Sequence, residues 1–347
     1  MVLGLTLRTL AATKPAATKE YDFFPPAPDA PRLQFLTAFN SEREMGRNTQ
    51  RGFLEWVTGQ KARPKEIDKP YGAAVHNHKL YLCDTDYGAV LVADLKERTM
   101  AVFHAGGQGA LKSPINIAID DDGNFYVADS GRNQVVIFDK NENYVAALGN
   151  PGEGKPRDVA VDRDRIYVAD LQGKMVQVYD RATRKPLSTM PGKVDATNEA
   201  ARLYLPTNLA LDAKGRLYVS DTGGFRVTVF DAATGRYLRT VGKMGDGFGQ
   251  FARVKGIAVD RESQLYAVDA MSQVVQIFNE QGKLLTWFGE PSGSVLQNLP
   301  AKVLVDYDDV ASFKSLIAPG FKVEYLVFVI NQIGNHKVSI YGLGRQQ

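Results

Sequence analysis

Short apolar runs rich in Val, Ile, Tyr and Phe recur along the chain from Lys69 onward, separated by polar turn sequences such as DDDGN, DAKGR, ATGR and EQGK. Runs of this length, bounded by Gly, Asn and Asp, predict strands joined by tight turns. The runs fall into five units that align position by position. They read KPYGAAVHNHKLYLCDTDYGAVLVADL from Lys69, SPINIAIDDDGNFYVADSGRNQVVIFD from Ser113, KPRDVAVDRDRIYVADLQGKMVQVYD from Lys155, LPTNLALDAKGRLYVSDTGGFRVTVFD from Leu205 and RVKGIAVDRESQLYAVDAMSQVVQIFN from Arg253. None has helical periodicity. In each, an aspartate ends the second run, at Asp84, Asp129, Asp170, Asp221 and Asp269, 14 or 15 residues after the unit's Pro or Val254. A fourth run closes the units, as in YVAALG, RYLRTVG and LLTWFG. Four antiparallel strands in a repeat of about 40 to 50 residues predict a propeller blade.

A sixth unit is interrupted. It begins LPAKVLVDYD at Leu299 and resumes at EYLVFVINQIGNHKVSIYG, with Asn331 in the aspartate's place. Between them lies an insertion near DDVASFKSLIAPGFK. The chain stops without a fourth run for this unit, and PRLQFLTAFN from Pro31 has the look of one. The expectation is an all-β, six-bladed propeller over residues 31–347, with the N-terminal strand closing the last blade and so removing an open sheet edge. Residues 1–30 read as a tail and tether, because Pro25, Pro26, Pro28 and Pro31 favour extended polyproline II. The loop Ser41–Asp68 predicts a short amphipathic helix around RGFLEWVTGQ, with Phe53, Leu54 and Val57 on one side.

The pattern Pro-x-x-(Ile/Val)-Ala-(Val/Ile)-Asp, then Gly-x-Leu-Tyr-Val-Ala-Asp, then Val-x-(Val/Ile)-Phe-Asp resembles the NHL repeat, which implies six blades. More narrowly, FFPPAPDAPRLQFLTAF, KPYGAAV and the closing DYDDVASFKSLIAPGFKVEYLVFVINQIGNHKVSIYG resemble exported bacterial NHL proteins, often lipoproteins, from bacteria rich in multihaem cytochromes. That resemblance implies an extracytoplasmic location (periplasm, outer membrane or cell surface) and a protein partner such as a multihaem c-type cytochrome.

Charge and composition narrow the chemistry. The net charge is +3 and the pI is near 8.7, short of the strongly basic footprint of nucleic-acid binders, so no nucleic-acid partner is expected. The apolar start, broken by Arg8, is too short for a membrane span. Membrane association would need an anchor through an N-terminal signal. A single cysteine, Cys83, excludes an intrachain disulfide, and it sits where other units have Ala128, Ala169, Ser220 and Val268, as a packing residue. His76, His78 and His336 fall in turns, whereas the NHL lyases that amidate peptides hold zinc on channel histidines. No cofactor, metal site or catalytic set is therefore expected, and the repeated aspartates read as turn-forming acceptors.

Departures from repetition mark candidate sites. One residue past the Pro or Val254 lie Tyr71, Ile115, Arg157, Thr207, Lys255 and Ala301; two past it lie Gly72, Asn116, Asp158, Asn208, Gly256 and Lys302. These positions share one mouth of the channel. Tyr71, Asn116, Arg157, Asp158, Asn208, Lys255 and Lys302 are the candidate binding residues, expected as a polar rim open to an acidic partner. The functional expectation is a non-enzymatic binding or scaffold propeller. The alternative is a metal-dependent lyase or lactone hydrolase with its site at the channel.

Overall fold

In a computed structural model that describes residues 21–26, 28–46, 65–195, 197–289 and 299–346, the five aligned units form five four-stranded antiparallel sheets. Each runs in sequence order from an inner to an outer strand. In the first, Pro70–His76, Lys79–Asp84, Ala89–Asp94 and Thr99–Val102 succeed one another. The inner strands begin at Pro70, Pro114, Pro156, Pro206, Val254 and Pro300. Each touches the inner strands of both neighbouring blades, and the last meets the first, so the ring is closed.

The sixth sheet uses both ends of the chain. Pro300–Asp306, Phe321–Asn331 and Val338–Gln346 are followed by Leu33–Phe39, which pairs antiparallel with Val338–Gln346. Leu33, Leu36 and Phe39 are buried there beside Phe328, Ile330 and Ile340 or Tyr325, Val327 and Tyr341. The segment expected as a tether also contributes. Phe23–Phe24 adds a fifth, two-residue strand on Leu33–Gln34, and Phe24 packs near Phe288 and Tyr341. Its aromatic rings, burying apolar area, outweigh the extended bias of the neighbouring prolines. The expected amphipathic helix with Phe53, Leu54 and Val57 falls within 47–64, outside the described residues.

The insertion in the last blade holds a 3-10 turn, Val310–Leu316, at the end of the ring opposite the start of the inner strands. Gln34 Nε2 donates to Leu316 O at 2.9 Å, and Gln34 Oε1 accepts from Ala318 N at 2.9 Å. Phe313 joins the core shared with Leu36, Met45 and Leu95. The insertion thus fastens the N-terminal strand.

Two polar devices repeat from blade to blade. The aspartate ending each second strand is buried and accepts backbone N–H groups from both sides. Asp129 takes Lys112 N (2.6 Å) and Ser113 N (3.0 Å) from the incoming loop, and Gly131 N (2.9 Å) and Arg132 N (3.1 Å) from the next turn. Asp84 and Asp269 do the same in their blades. A buried carboxylate with this many donors has its desolvation offset locally, and it ties one blade to the connection from the last. In the second device, the tyrosine three residues earlier donates to an aspartate of the first turn: Tyr126 to Asp120, Tyr167 to Asp162 and Tyr218 to Asp212. Both aspartate rows are therefore structural acceptors.

Candidate functional site

The inner strands start at one face of the ring, and the second strands end there, since Pro70 pairs with Asp84 and Pro114 with Asp129. The candidate residues occupy two layers at this mouth. In the outer layer, the side chains of alternate blades converge. Tyr71 of the first blade presents its ring to Arg157 of the third and Lys255 of the fifth, with the Arg157 Cζ and Lys255 Nζ each 5.3 Å from the ring centroid. Cations facing a desolvated aromatic ring gain about 2 kcal/mol from its quadrupole. Lys255 Nζ also donates to Gln332 Oε1 at 3.0 Å.

The inner layer divides into two halves. Asn116, Asp158 and Asn208 on the second, third and fourth blades carry oxygens, and all three are fully buried. Opposite them, Gly72 and Gly256 flank Lys302 in the ring. Glycine is required at both: a Cβ on Gly72 would fall 2.0 Å from Asn116 Oδ1, and one on Gly256 would fall 2.4 Å from Lys302 Cα. Lys302 reaches across the channel to Asp158, Nζ to Oδ2 at 3.0 Å. The same Oδ2 accepts from Asn208 Nδ2 (3.3 Å) and Leu209 N (3.0 Å), and Oδ1 accepts from Val159 N (2.8 Å). Asn116 Nδ2 donates to Arg157 O at 3.2 Å, linking the layers.

The expected open rim is thus a plug. Lys255 and Lys302 are 5% and 6% exposed and Asp158 is wholly buried, while Arg157 is the half-buried member. The sequence places these residues on one face, but their side chains reach across a closed ring, and mutual pairing removes them from water. Further along the inner strands the half-buried Ala74, Ala118, Ala210 and Ala258 pack against the hydrophobic cores of the blades.

Electrostatics singles out Lys255. Burial, then the positive charges of Arg253 and Arg157, lower its pKa to about 8. An amine so placed is half neutral one pH unit above neutrality, which suits proton transfer. Burial pushes the Cys83 thiol well above its usual range, consistent with an inert packing residue. The turn histidines lie elsewhere, with His78 Nδ1 2.7 Å from Asp309 Oδ1 of the insertion.

Gln332 escapes a reading based on the inner strands alone. It follows Asn331, at the position held by Thr85, Ser130 and Thr222 in other blades. Two of those bond the start of their own blade's inner strand (Thr85 Oγ1 to Lys69 O, Ser130 Oγ to Ser113 O), and Thr222 Oγ1 bonds Val254 O of the next. The residue after the aspartate was the available signal.

A channel metal does not fit these side chains. A hard cation needs several convergent oxygen ligands, yet the one carboxylate at the centre already accepts four bonds, one from an ammonium. Among the described residues, no three His, Cys, Asp or Glu side chains gather to hold a metal.

Comparison with known proteins agrees with this architecture. A six-bladed β-propeller family model matches residues 196–286, and the NHL repeat matches residues 111–138. The chain is a six-bladed β-propeller with an NHL repeat at residues 111–138. This propeller is similar to a probable peptidyl-α-hydroxyglycine α-amidating lyase of Caenorhabditis elegans, 26% identical over 208 residues, covering 52% of this chain and 59% of the lyase. Among solved structures it shares its fold with a gluconolactonase of Xanthomonas campestris (TM-score 0.59, 18% identity, 97% and 99% of the two chains). It shares it also with a virginiamycin B lyase of Staphylococcus aureus (TM-score 0.53, 12% identity, 80% and 86%). The Caenorhabditis elegans relative is named a probable lyase, and the match overturns the expectation of a non-enzymatic binding scaffold. The propeller spans under two thirds of that relative's length.

Proposed function

We propose that this propeller is an enzyme of the lyase or lactone-hydrolase class, acting at the plugged mouth of its channel. The observation that carries the reading is the convergence of Tyr71, Arg157 and Lys255 from alternate blades, with the Lys255 pKa lowered to about 8. Similarity to an amidating lyase supports the class.

Breaking the C–N bond of an α-hydroxyglycine amide and opening a lactone with water share one demand. A proton leaves an O–H group while negative charge grows on an atom nearby. Neutral Lys255 supplies the base, with Gln332 Oε1 holding its Nζ at 3.0 Å. The Arg157 guanidinium, stacked on Tyr71 and half-buried, meets the substrate first and stabilises the developing charge in a site with little water. In a lyase the base takes the hydroxyl proton, the C–O bond becomes a carbonyl, the C–N bond breaks, and the proton passes to the departing amide nitrogen. For a lactone the base takes a proton from attacking water, and the ring oxygen leaves protonated.

The test is an initial-rate assay of the purified chain with a peptidyl-α-hydroxyglycine and with glucono-δ-lactone. Turnover of one of them above buffer, lost by at least about 100-fold in Lys255→Met and Arg157→Ala with the fold retained, is the expected result. No turnover of either substrate, or variants as active as the parent, would overturn the reading.

A further inference from the structure

The inner layer has the outline of a cation cradle. Asp158 supplies a carboxylate, and Asn116 and Asn208 supply buried amide oxygens, Oδ1 in each, that have no partner among the described residues. Carboxylate and amide oxygens are the ligand types that hard divalent cations take. The opposite half-ring has no side chains at Gly72 and Gly256, where Asn116 and the Ala301–Lys302 backbone approach too closely for a Cβ, and Lys302 alone reaches across from that side to bring its Nζ within 3.0 Å of Asp158 Oδ2.

We infer that the Lys302 ammonium is the fixed cation of this channel, seated where the half-ring of Asn116, Asp158 and Asn208 would otherwise bind a divalent metal ion. The single ammonium neutralises the single carboxylate, and a dication placed beside it would be repelled at short range in a water-poor site. Replacing Lys302 by a small neutral residue removes that charge and vacates the space. The carboxylate and the two amide oxygens then form an open oxygen-ligand set. This holds whether or not the mouth is catalytic, since it is read from metal binding and not from turnover.

The experiment compares the full chain with Lys302→Ala in thermal melts and equilibrium dialysis, with EDTA or with millimolar Ca2+ or Mn2+ as the probe. The parent is expected to keep one melting temperature in all conditions and to retain no stoichiometric metal. In Lys302→Ala, loss of the buried pair lowers the melting temperature by about 5 °C or more in EDTA. Added Ca2+ or Mn2+ restores much of the loss, and one ion binds per chain. Should this variant not fold in EDTA, its recovery of the folded state in Ca2+ or Mn2+ supports the inference equally. Adding Asp158→Asn to Lys302→Ala is expected to abolish the metal response. A parent that carries one metal per chain or is destabilised by EDTA overturns the inference. So does a Lys302→Ala variant that neither binds nor is stabilised by either ion.

Discussion

One carboxylate in the ring, Asp306, is held against its solution chemistry, and it makes a pH-dependent prediction. Burial, then the charge of Asp309, raises the Asp306 pKa to about 6. Because the folded pKa lies above the unfolded one, this group contributes stability below about pH 4, and the contribution is lost as pH rises through 6. Asp306→Asn should therefore stabilise the chain by about 2 kcal/mol above pH 6 and leave it unchanged near pH 4. Urea titrations at pH 4 and 7.5 check this, and equal shifts at both would refute it. Asp129 gives a contrasting case, since its carboxylate accepts four backbone N–H groups from two loops. Asp129→Ala strands those donors and should cost about 3 kcal/mol or more. Asp139→Ala, whose carboxylate serves one exposed turn through Asn141 N and Asn143, should cost markedly less. The role of Asp129 was legible from its recurrence at one offset in five units. The Asp306 shift was not, because it comes from an insertion that brings Asp309 back over the strand end.

Among the elements, the clasp decides whether the ring is closed. Removal of residues 1–40 deletes Leu33–Phe39, takes Leu33, Leu36 and Phe39 out of two core clusters, and bares the edge of Val338–Gln346. This truncation should lose its cooperative thermal transition and associate through the open edge, as size-exclusion chromatography would show. Removal of residues 1–28 takes away, among the described residues, the short edge strand Phe23–Phe24 with its flanking Asp22 and should lower the melting temperature by about 3 °C. Equal melting curves for the two would refute the clasp. The closing strand could be read from sequence because its apolar pattern matches other fourth strands. The two-residue strand before it could not, since four prolines mask it and its anchoring contacts, Phe23 on Phe321 and Phe24 near Tyr341, are distant in sequence. Gly256→Ala tests the strand-to-strand approach. A Cβ 2.4 Å from Lys302 Cα must push the fifth and sixth inner strands apart. A drop in melting temperature comparable to that of a core truncation is expected.

Over the whole molecule, the repeat phase told which residues share the mouth, and the ring's closure determined what they do there. Position along each inner strand was enough to select Tyr71, Asn116, Arg157, Asp158, Asn208, Lys255 and Lys302 together. It could not show that Lys302 spans to Asp158, or that Tyr71 meets cations from the third and fifth blades, because these contacts join side chains 86 to 184 residues apart. The same closure buries Lys255 beside Arg253 and Arg157 and sets its proton affinity. The most direct test of an enzyme at the channel mouth is the pH dependence of kcat/KM for whichever substrate is turned over, in the parent chain and in Lys255→Met. A profile that rises with pH through a midpoint near 8 in the parent, and a rate at least about 100-fold lower without that rise in the variant, is the predicted result. A flat parent profile, or a variant that keeps both the rate and the midpoint, would contradict it.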